Sequence, residues 1–594
     1  MTVQDVSIMQ NAPSPSLRGW PLLVLLILLP LWAGGIAGRN FWTPDEPREA
    51  DIAWQMSQQA DRAVPQLAQR AFLEKPPLSY WLSALSIQAL GTSAFTTRLP
   101  NFLYALISTL AVGWLACSMA GKRAALVAAL AFGSSFLVYR TLIWLAPDAA
   151  LLAGVSVALL GAWRGVNAPA GRAKLGWYSL MHLGSAVGFM AKSAPGWLVP
   201  ALALVCYLAW ERRWRELLRY ELYAGLALQA AIIGPWVWAL AASAQGADSL
   251  RAFLWYNTVG RFMAVDAPAG LQYTQGHRNH FGKYFIELGI YALPWTLLLL
   301  ASLRRAFTQT REANERRSAW RFAVAVTLPW LILLSFAATA RDIYAAPAFV
   351  GAAVLIALWY RDQRAMPSSS LWPARGTLYI VGFIVCLFSI LLLLLGAADA
   401  MADEEYGALL SASVAVLAGG LYWLYRAQQS LDQAQLGRSL ALLFAVYGVT
   451  LVVGGNLLIE RLNPWYDLPQ LAKRIDQDVK GHPFALLQPD ETTIAMLDFN
   501  QATPSQLLEG PADAALAQAE RWFADRGPQA LLLVKLPGRA QGEVTRLLGE
   551  ADIALGQPDD GLANTLVSAR VARIAQRYEI PHGRRYALLA PPAP

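Results

Sequence analysis

Runs of about twenty apolar residues recur along the chain, and a helix of that length crosses the ~30 Å hydrocarbon core of a bilayer. Such runs fall near residues 20–38, 100–120, 124–140, 146–164, 176–192, 194–210 and 220–241. They resume near 283–303, 320–339, 342–360, 376–397, 406–425 and 439–459, about thirteen in all by a sliding hydropathy window. A soluble chain of this length would be about a quarter charged. Here 15% of 594 residues are charged and 56% are hydrophobic, with a mean hydropathy of +0.36. The surplus apolar surface must face lipid, so the expected fold class is a polytopic α-helical membrane protein. The first run, Trp20 to Gly38, ends in small residues as a signal peptide does, but its apolar stretch is too long for a signal core. It reads as a retained first span.

The net charge of +8 invites a nucleic-acid partner. The basic residues, however, sit in short loops between apolar runs: Lys122/Arg123, Arg172/Lys174, Arg212/Arg213/Arg215, Arg304/Arg305/Arg316/Arg317, Arg361/Arg364 and Arg426/Arg438. All fall on the side of the N-terminus, which the positive-inside rule assigns to the cytoplasm. The opposite loops include the acidic stretch Asp399–Glu405. No nucleic acid is implied, and an odd number of spans carries the C-terminal tail outside. Cys117, Cys206 and Cys386 lie within apolar runs and read as inert buried thiols, neither disulfide framework nor metal site.

Three segments interrupt the hairpins, all on the outer side. Residues 39–99 form a long first loop with helical periodicity over Glu46–Gln59 and Leu78–Leu90. Residues 242–282 form a second, polar and aromatic loop. Residues 460–594 read as a small soluble α/β domain, with strand-like runs Phe484–Leu487, Ala530–Val534 and Tyr586–Leu589 and an amphipathic helix over Ala512–Phe523. Residues 1–459, with their two external loops, read as the transmembrane catalytic domain.

The chemistry-bearing strings lie in the outward segments. Trp42-Thr43-Pro44-Asp45-Glu46-Pro47-Arg48-Glu49 follows the first span, and its carboxylates suit acid–base work or metal binding. The same string suits a plain helix start, with Asp45 as cap and Pro47 in the first turn. Glu74-Lys75-Pro76-Pro77 fixes a charged pair on a rigid turn, ahead of Tyr80-Trp81. Read as interface residues, these snorkel and form an aromatic belt. Asp148 opens the fourth span, where an acidic residue is a cap or functional. Lys192 follows the fifth span, against the positive-inside trend. The second loop adds Arg261, His277, Arg278, His280 and Lys283, and the turn near the tenth span adds Arg341-Asp342-Ile343-Tyr344. Carboxylates with arginine and lysine at one membrane face suit a phospholipid-linked substrate.

These strings in this order resemble the bacterial 4-amino-4-deoxy-L-arabinose lipid A transferases of the GT-C superfamily, alongside protein O-mannosyltransferases and oligosaccharyltransferases. The carriers are Pro44-Asp45-Glu46-Pro47-Arg48, Glu74-Lys75-Pro76 with Tyr80-Trp81, Asp148, and Met190-Ala191-Lys192. The resemblance implies an inner-membrane glycosyltransferase taking the sugar from undecaprenyl phosphate at the periplasmic face. Its acceptor would be a lipid A phosphate, which lowers negative charge and gives resistance to polymyxin-type peptides. It implies Asp45 and Asp148 as catalytic acids and Arg48, Lys75, Arg261 and Tyr344 as donor-phosphate contacts. Glu46, Tyr80 and Lys192 would contact sugar or acceptor, and Glu74 a divalent metal ion or the sugar amine. The sequence departs from the family at Pro47, Glu49, Pro77 and Met190-Ala191-Lys192-Ser193. Another polyprenyl-phosphate-sugar transferase, acting on protein hydroxyls, is the nearest alternative, and a lipid-linked-sugar flippase a more distant one.

Overall fold

The computed structural model describes residues 19–592 except 44, 68–69, 244–245, 260–279, 313–315, 338–340, 366–370, 402–406, 511–513, 538–560 and 581–583. The chain divides into two compact units. One comprises Met1–Ile36, Leu73–Ser79 and Pro100–Leu457; the other comprises Ala37–Phe72, Tyr80–Leu99 and Leu458–Pro594. The first loop thus does not belong with the spans that flank it, as the expected 1–459 domain would have it. All but Leu73–Ser79 of it folds with the C-terminal segment.

The first unit is helical. Among the described residues eight helices are long and apolar enough to cross a bilayer, and nine if one bent pair counts as a span. The chain is therefore a multi-pass membrane protein by length and composition, with fewer such helices than the thirteen runs suggest. Some runs break into shorter pieces. The run expected at 124–140 is Lys122–Ser134 and Phe136–Ile143, bent by 65° at Ser135. Ser135 has an extended backbone there, its hydroxyl bonds the carbonyl of Ala131 at 2.6 Å, and the Phe136 amide donates to Leu293 at 2.9 Å. The bend thus leaves these polar groups satisfied, as apolar surroundings require. The run at 283–303 divides into Lys283–Tyr291 and Thr296–Gln309 around Pro294, which lacks the amide a continuous helix needs.

The tightest packing joins Asp148–Asn167, Arg172–Lys192 and Pro195–Trp210. A Cβ at Gly154 would lie 2.5 Å from the Gly188 amide nitrogen, and one at Gly196 would lie 2.2 Å from the Gly188 carbonyl carbon. Backbone meets backbone with no room for a side chain, the usual means of close helix approach in membranes. The three cysteines lie in apolar helices as expected, but each is half-buried instead of fully enclosed.

The second unit is α/β. Within its loop segments a two-residue hairpin pairs β1 (Gln66–Leu67) with β2 (Arg70–Ala71). Its sheet contains β3 (Phe484–Leu487), β4 (Gln506–Leu508), β5 (Leu531–Leu536), β6 (Arg573–Glu579) and β7 (Arg585–Ala590), in the order β4-β3-β5-β7-β6. β3 is parallel to β4 and β5, whereas β7 is antiparallel to β5 and β6. Both faces are covered, so β3 is buried throughout. Phe484 and Leu486 face Leu471 and Ile475, while Ala485 and Leu487 face Ala519 and Trp522. The three expected strands and the expected helix (Ala515–Arg526) are present; β4 and β6, more polar and more exposed, carry little apolar signal.

The loop joins this unit through the Glu46–Gln58 helix, which packs on Glu491–Phe499. Ile52, Met56, Phe72 and Tyr80 form a small core with Ala495. Asp490 holds the start of the Glu491–Phe499 helix, accepting from the Thr493 amide at 2.8 Å, Lys535 at 2.8 Å and Arg584 at 2.9 Å.

Candidate functional site

Each unit carries its own group of charges. In the membrane unit Asp148 is the first residue of its helix, just after Pro147. Its carboxylate is ion-paired with Lys192, and both side chains are 7% exposed. Lys192 ends its own helix because Ser193 turns to φ +64°, a left-handed conformation few non-glycine residues adopt. The Lys192 Nζ lies 3.8 Å from the centroid of the Tyr344 ring, close enough for a cation–π contact. Tyr344 sits on the single turn Asp342–Ala345, whose position is held by Trp330 Nε1 donating to the Tyr344 carbonyl at 2.9 Å. On the same turn Asp342 pairs with Arg140. Three residues expected in separate roles are therefore one cluster: a carboxylate, an ammonium and an aromatic ring. The close Gly154–Gly188 approach brings the two helices into register for it.

Lys75 belongs to the same unit and is buried on its proline-braced turn, with Glu74 half-buried beside it. Among the described residues no three His, Cys, Asp or Glu side chains meet as a metal-binding group, so Glu74 has no ligand set around it there. Arg261, His277 and Arg278 lie outside the described residues.

In the second unit Asp45 precedes the Glu46–Gln58 helix without capping it. Its backbone is helical, and no side-chain cap bond forms. The carboxylate lies 3.5 Å from Arg48 instead. Arg48 also lies 3.3 Å from Glu49 and 2.7 Å from Glu491, and stacks over Phe72. Three carboxylates thus surround the guanidinium expected to hold a donor phosphate. An incoming phosphate would have to compete with them.

Two expected substrate contacts are corrected. Glu46 is fully buried, and its oxygens accept from Arg39, from Arg98 at 2.9 Å through both Nε and Nη2, and from the Trp42 amide at 2.9 Å. Burial alone would raise its pKa, but the two guanidiniums outweigh that and hold it at about 2. It has no oxygen turned to a substrate. Tyr80, likewise, is 2% exposed in the core with Ile52 and Met56, where a sugar cannot reach it. Arg39 and Arg98, which enclose Glu46, stand outside the strings that the sequence singles out. Arg98 is fully buried and also donates to the carbonyls of Arg39 and Asn40, at 2.9 and 2.8 Å. An arginine abutting an apolar run on the outer side, in Thr-Thr-Arg-Leu-Pro, is the signal that could have found it.

Residues 74–238 match the profile of the dolichyl-phosphate-mannose-protein mannosyltransferase family. That stretch includes Lys75, Asp148 and Lys192. The structure superimposes on the crystal structure of ArnT from Cupriavidus metallidurans bound to undecaprenyl phosphate. The match covers 96% of this chain and 98% of that one, with a TM-score of 0.69 and 18% identity. The fold is of the GT-C type. The apo form of the same protein matches with a TM-score of 0.65. The chain is also 32% identical to the undecaprenyl phosphate-α-4-amino-4-deoxy-L-arabinose arabinosyl transferase of Pseudomonas aeruginosa over 290 residues, 49% of this chain and 50% of that one. The enzyme of the same name from Pectobacterium atrosepticum is 32% identical over 339 residues, 57% of each. The matched segments thus span about half the length of these relatives.

Proposed function

We propose that this protein is an inner-membrane glycosyltransferase that moves 4-amino-4-deoxy-L-arabinose from undecaprenyl phosphate to a phosphate of lipid A at the periplasmic face. Resistance to polymyxin and other cationic peptides would follow from the lost negative charge. The observation that carries the reading is the buried Asp148–Lys192–Tyr344 cluster, whose Asp148 and Lys192 lie in the stretch similar to dolichyl-phosphate-mannose-protein mannosyltransferases. A lipid-linked sugar phosphate needs a cation at the leaving phosphate and an acid near the sugar carbon. Lys75 and Lys192 are the proposed cations, and Asp45 and Asp148 the proposed catalytic acids. Glu74 fits the ammonium of an amino sugar by charge.

A phosphate monoester has its second pKa near ~6, so the acceptor is already an anion at neutral pH. No general base is then required for attack. Asp148, held in an ion pair, serves to orient substrate and to stabilise oxocarbenium-like charge at the sugar carbon. Direct displacement with inversion is the expected course. A second reading is favoured by the mannosyltransferase match: a protein hydroxyl as acceptor, which would require one of the two aspartates to take a proton.

Mass spectrometry of lipid A from cells with and without the protein tests both. An added aminopentose only in its presence supports the first reading, and Asp45→Asn and Asp148→Asn should each abolish it while the protein still inserts. Unchanged lipid A with newly glycosylated periplasmic proteins supports the second.

A further inference from the structure

Three helices of the membrane unit, Lys122–Ser134, Ala348–Ala365 and Leu436–Thr450, border a cavity of about 540 Å³ that the proposed chemistry does not use. Its rim carries three arginines, Arg123, Arg364 and Arg438. All lie in the end turns of these helices, at the ends that the positive-inside pattern assigns to the cytoplasm. Its wall is apolar: Leu126, Leu130 and Phe444 line it, the last two buried at 2% and 3% exposure.

The rim is distinguished from the basic residues around it. Nearby Arg305, Arg316 and Arg361 all reach Asp362, at 3.7, 3.6 and 2.9 Å. Arg123, Arg364 and Arg438 form no ion pair among the described residues. Three uncompensated guanidiniums around one opening favour an anion, and the guanidinium fork matches phosphate oxygens in particular. Tyr360 also borders the space, and its hydroxyl lies beside Gly437. A Cβ at Gly437 would lie 2.8 Å from that hydroxyl, so the glycine leaves it standing against the first turn of the Leu436–Thr450 helix.

A free phosphate would satisfy the rim but gain nothing from the wall. An apolar wall is stabilised by covering it with hydrocarbon, at roughly 25 cal/mol per Å². We propose that this cavity binds an anionic glycerophospholipid, its phosphate among Arg123, Arg364 and Arg438 and its first acyl carbons against Leu126, Leu130 and Phe444. Basic pockets between transmembrane helices on the cytoplasmic side recognise such headgroups by this combination.

Native mass spectrometry of the purified full-length protein tests the assignment, with phosphatidylglycerol and phosphatidylcholine of identical acyl chains as probes. Wild type should retain phosphatidylglycerol about tenfold better, the scale of charge-assisted contacts, and the R123Q/R364Q/R438Q variant should lose that preference. Arg364 and Arg438 are exposed, so R364Q and R438Q singly should fold and lose part of it even if the triple variant does not. Ala441→Trp, placed on the exposed edge of the cavity, should lower phosphatidylglycerol retention with every arginine intact. Equal retention of the two lipids by wild type overturns the proposal, as does wild-type preference in R364Q and R438Q. Inorganic phosphate at millimolar concentration should not displace the lipid; full displacement would make this a free-anion site and overturn the lipid assignment.

Discussion

At the scale of single residues, two neighbours in the sequence, Asp45 and Glu46, have opposite characters. Asp45 is an uncapping carboxylate facing Arg48, whereas Glu46 is enclosed by Arg39 and Arg98. Glu46→Gln leaves two buried guanidiniums facing a neutral amide. It should cost about 3–5 kcal/mol of stability, read as a lower melting temperature, whereas Asp45→Asn should abolish transfer with little change in melting. The pH dependence follows from the same pair. Glu46 ionises near 4.5 when unfolded and at about 2 when folded, so the folded form binds fewer protons between those values. Its stabilisation is complete above pH 4.5 and is lost as pH falls toward 2. Wild type should therefore lose stability across that window more steeply than Glu46→Gln, as measured by thermal melts at stepped pH. Asp45, Asp148 and Lys192 are legible in the sequence because each stands in a short string of its own at a span boundary. The role of Glu46 is not, because Arg98 lies 52 residues away and only folding brings it close. For the other group, Asp148→Asn should strand Lys192 in a buried site. The double variant Asp148→Asn/Lys192→Met should recover stability but not transfer, and recovery of both would remove the cluster from the chemistry.

At the scale of elements, the apolar runs predict helices well because one physical demand, satisfying every backbone group within lipid, dominates there. They predict helix continuity poorly. Ser135 and Pro294 break two runs through local backbone chemistry that a hydropathy window averages away. The Gly154–Gly188 contact is a second feature hidden from hydropathy, since glycine there matters for what it lacks. Gly154→Leu should push the Asp148–Asn167 and Arg172–Lys192 helices apart and separate Asp148 from Lys192. Transfer should fall at least about tenfold with the protein still inserted, an effect measurable by lipid A mass spectrometry beside a membrane-fraction immunoblot. Wild-type transfer in that variant would mean the helices reach their register by other contacts. In the α/β segment the buried strands are legible as apolar runs, while the polar edge strands are defined by their pairing partners.

At the scale of the whole molecule, the positive-inside pattern predicts an orientation that chemical labelling can read directly. Cysteines placed at Ser505 and Asn257 should react with an impermeant thiol reagent in cells with a permeabilised outer membrane, and one at Lys122 only after the inner membrane is opened. Cys117, Cys206 and Cys386 should stay silent in both conditions, as thiols within apolar helices. Labelling at Lys122 in unopened cells would invert the assignment. The division into units was less legible than the spans. Sequence order suggests that a loop belongs with the helices flanking it, and only packing of the Glu46–Gln58 helix on Glu491–Phe499 assigns it elsewhere.

That packing sets a schedule for biosynthesis. Ile52, Met56 and Phe72 leave the ribosome more than four hundred residues ahead of Ala495, the side chain that closes their core. At synthesis rates of about 5–20 residues per second, the interval is roughly 20 to 90 seconds. For that time an apolar helix face waits uncovered while the chain between is still being threaded into the bilayer. The nascent loop is thus a natural client for a holding chaperone, and the last fifth of the chain determines when the first loop matures.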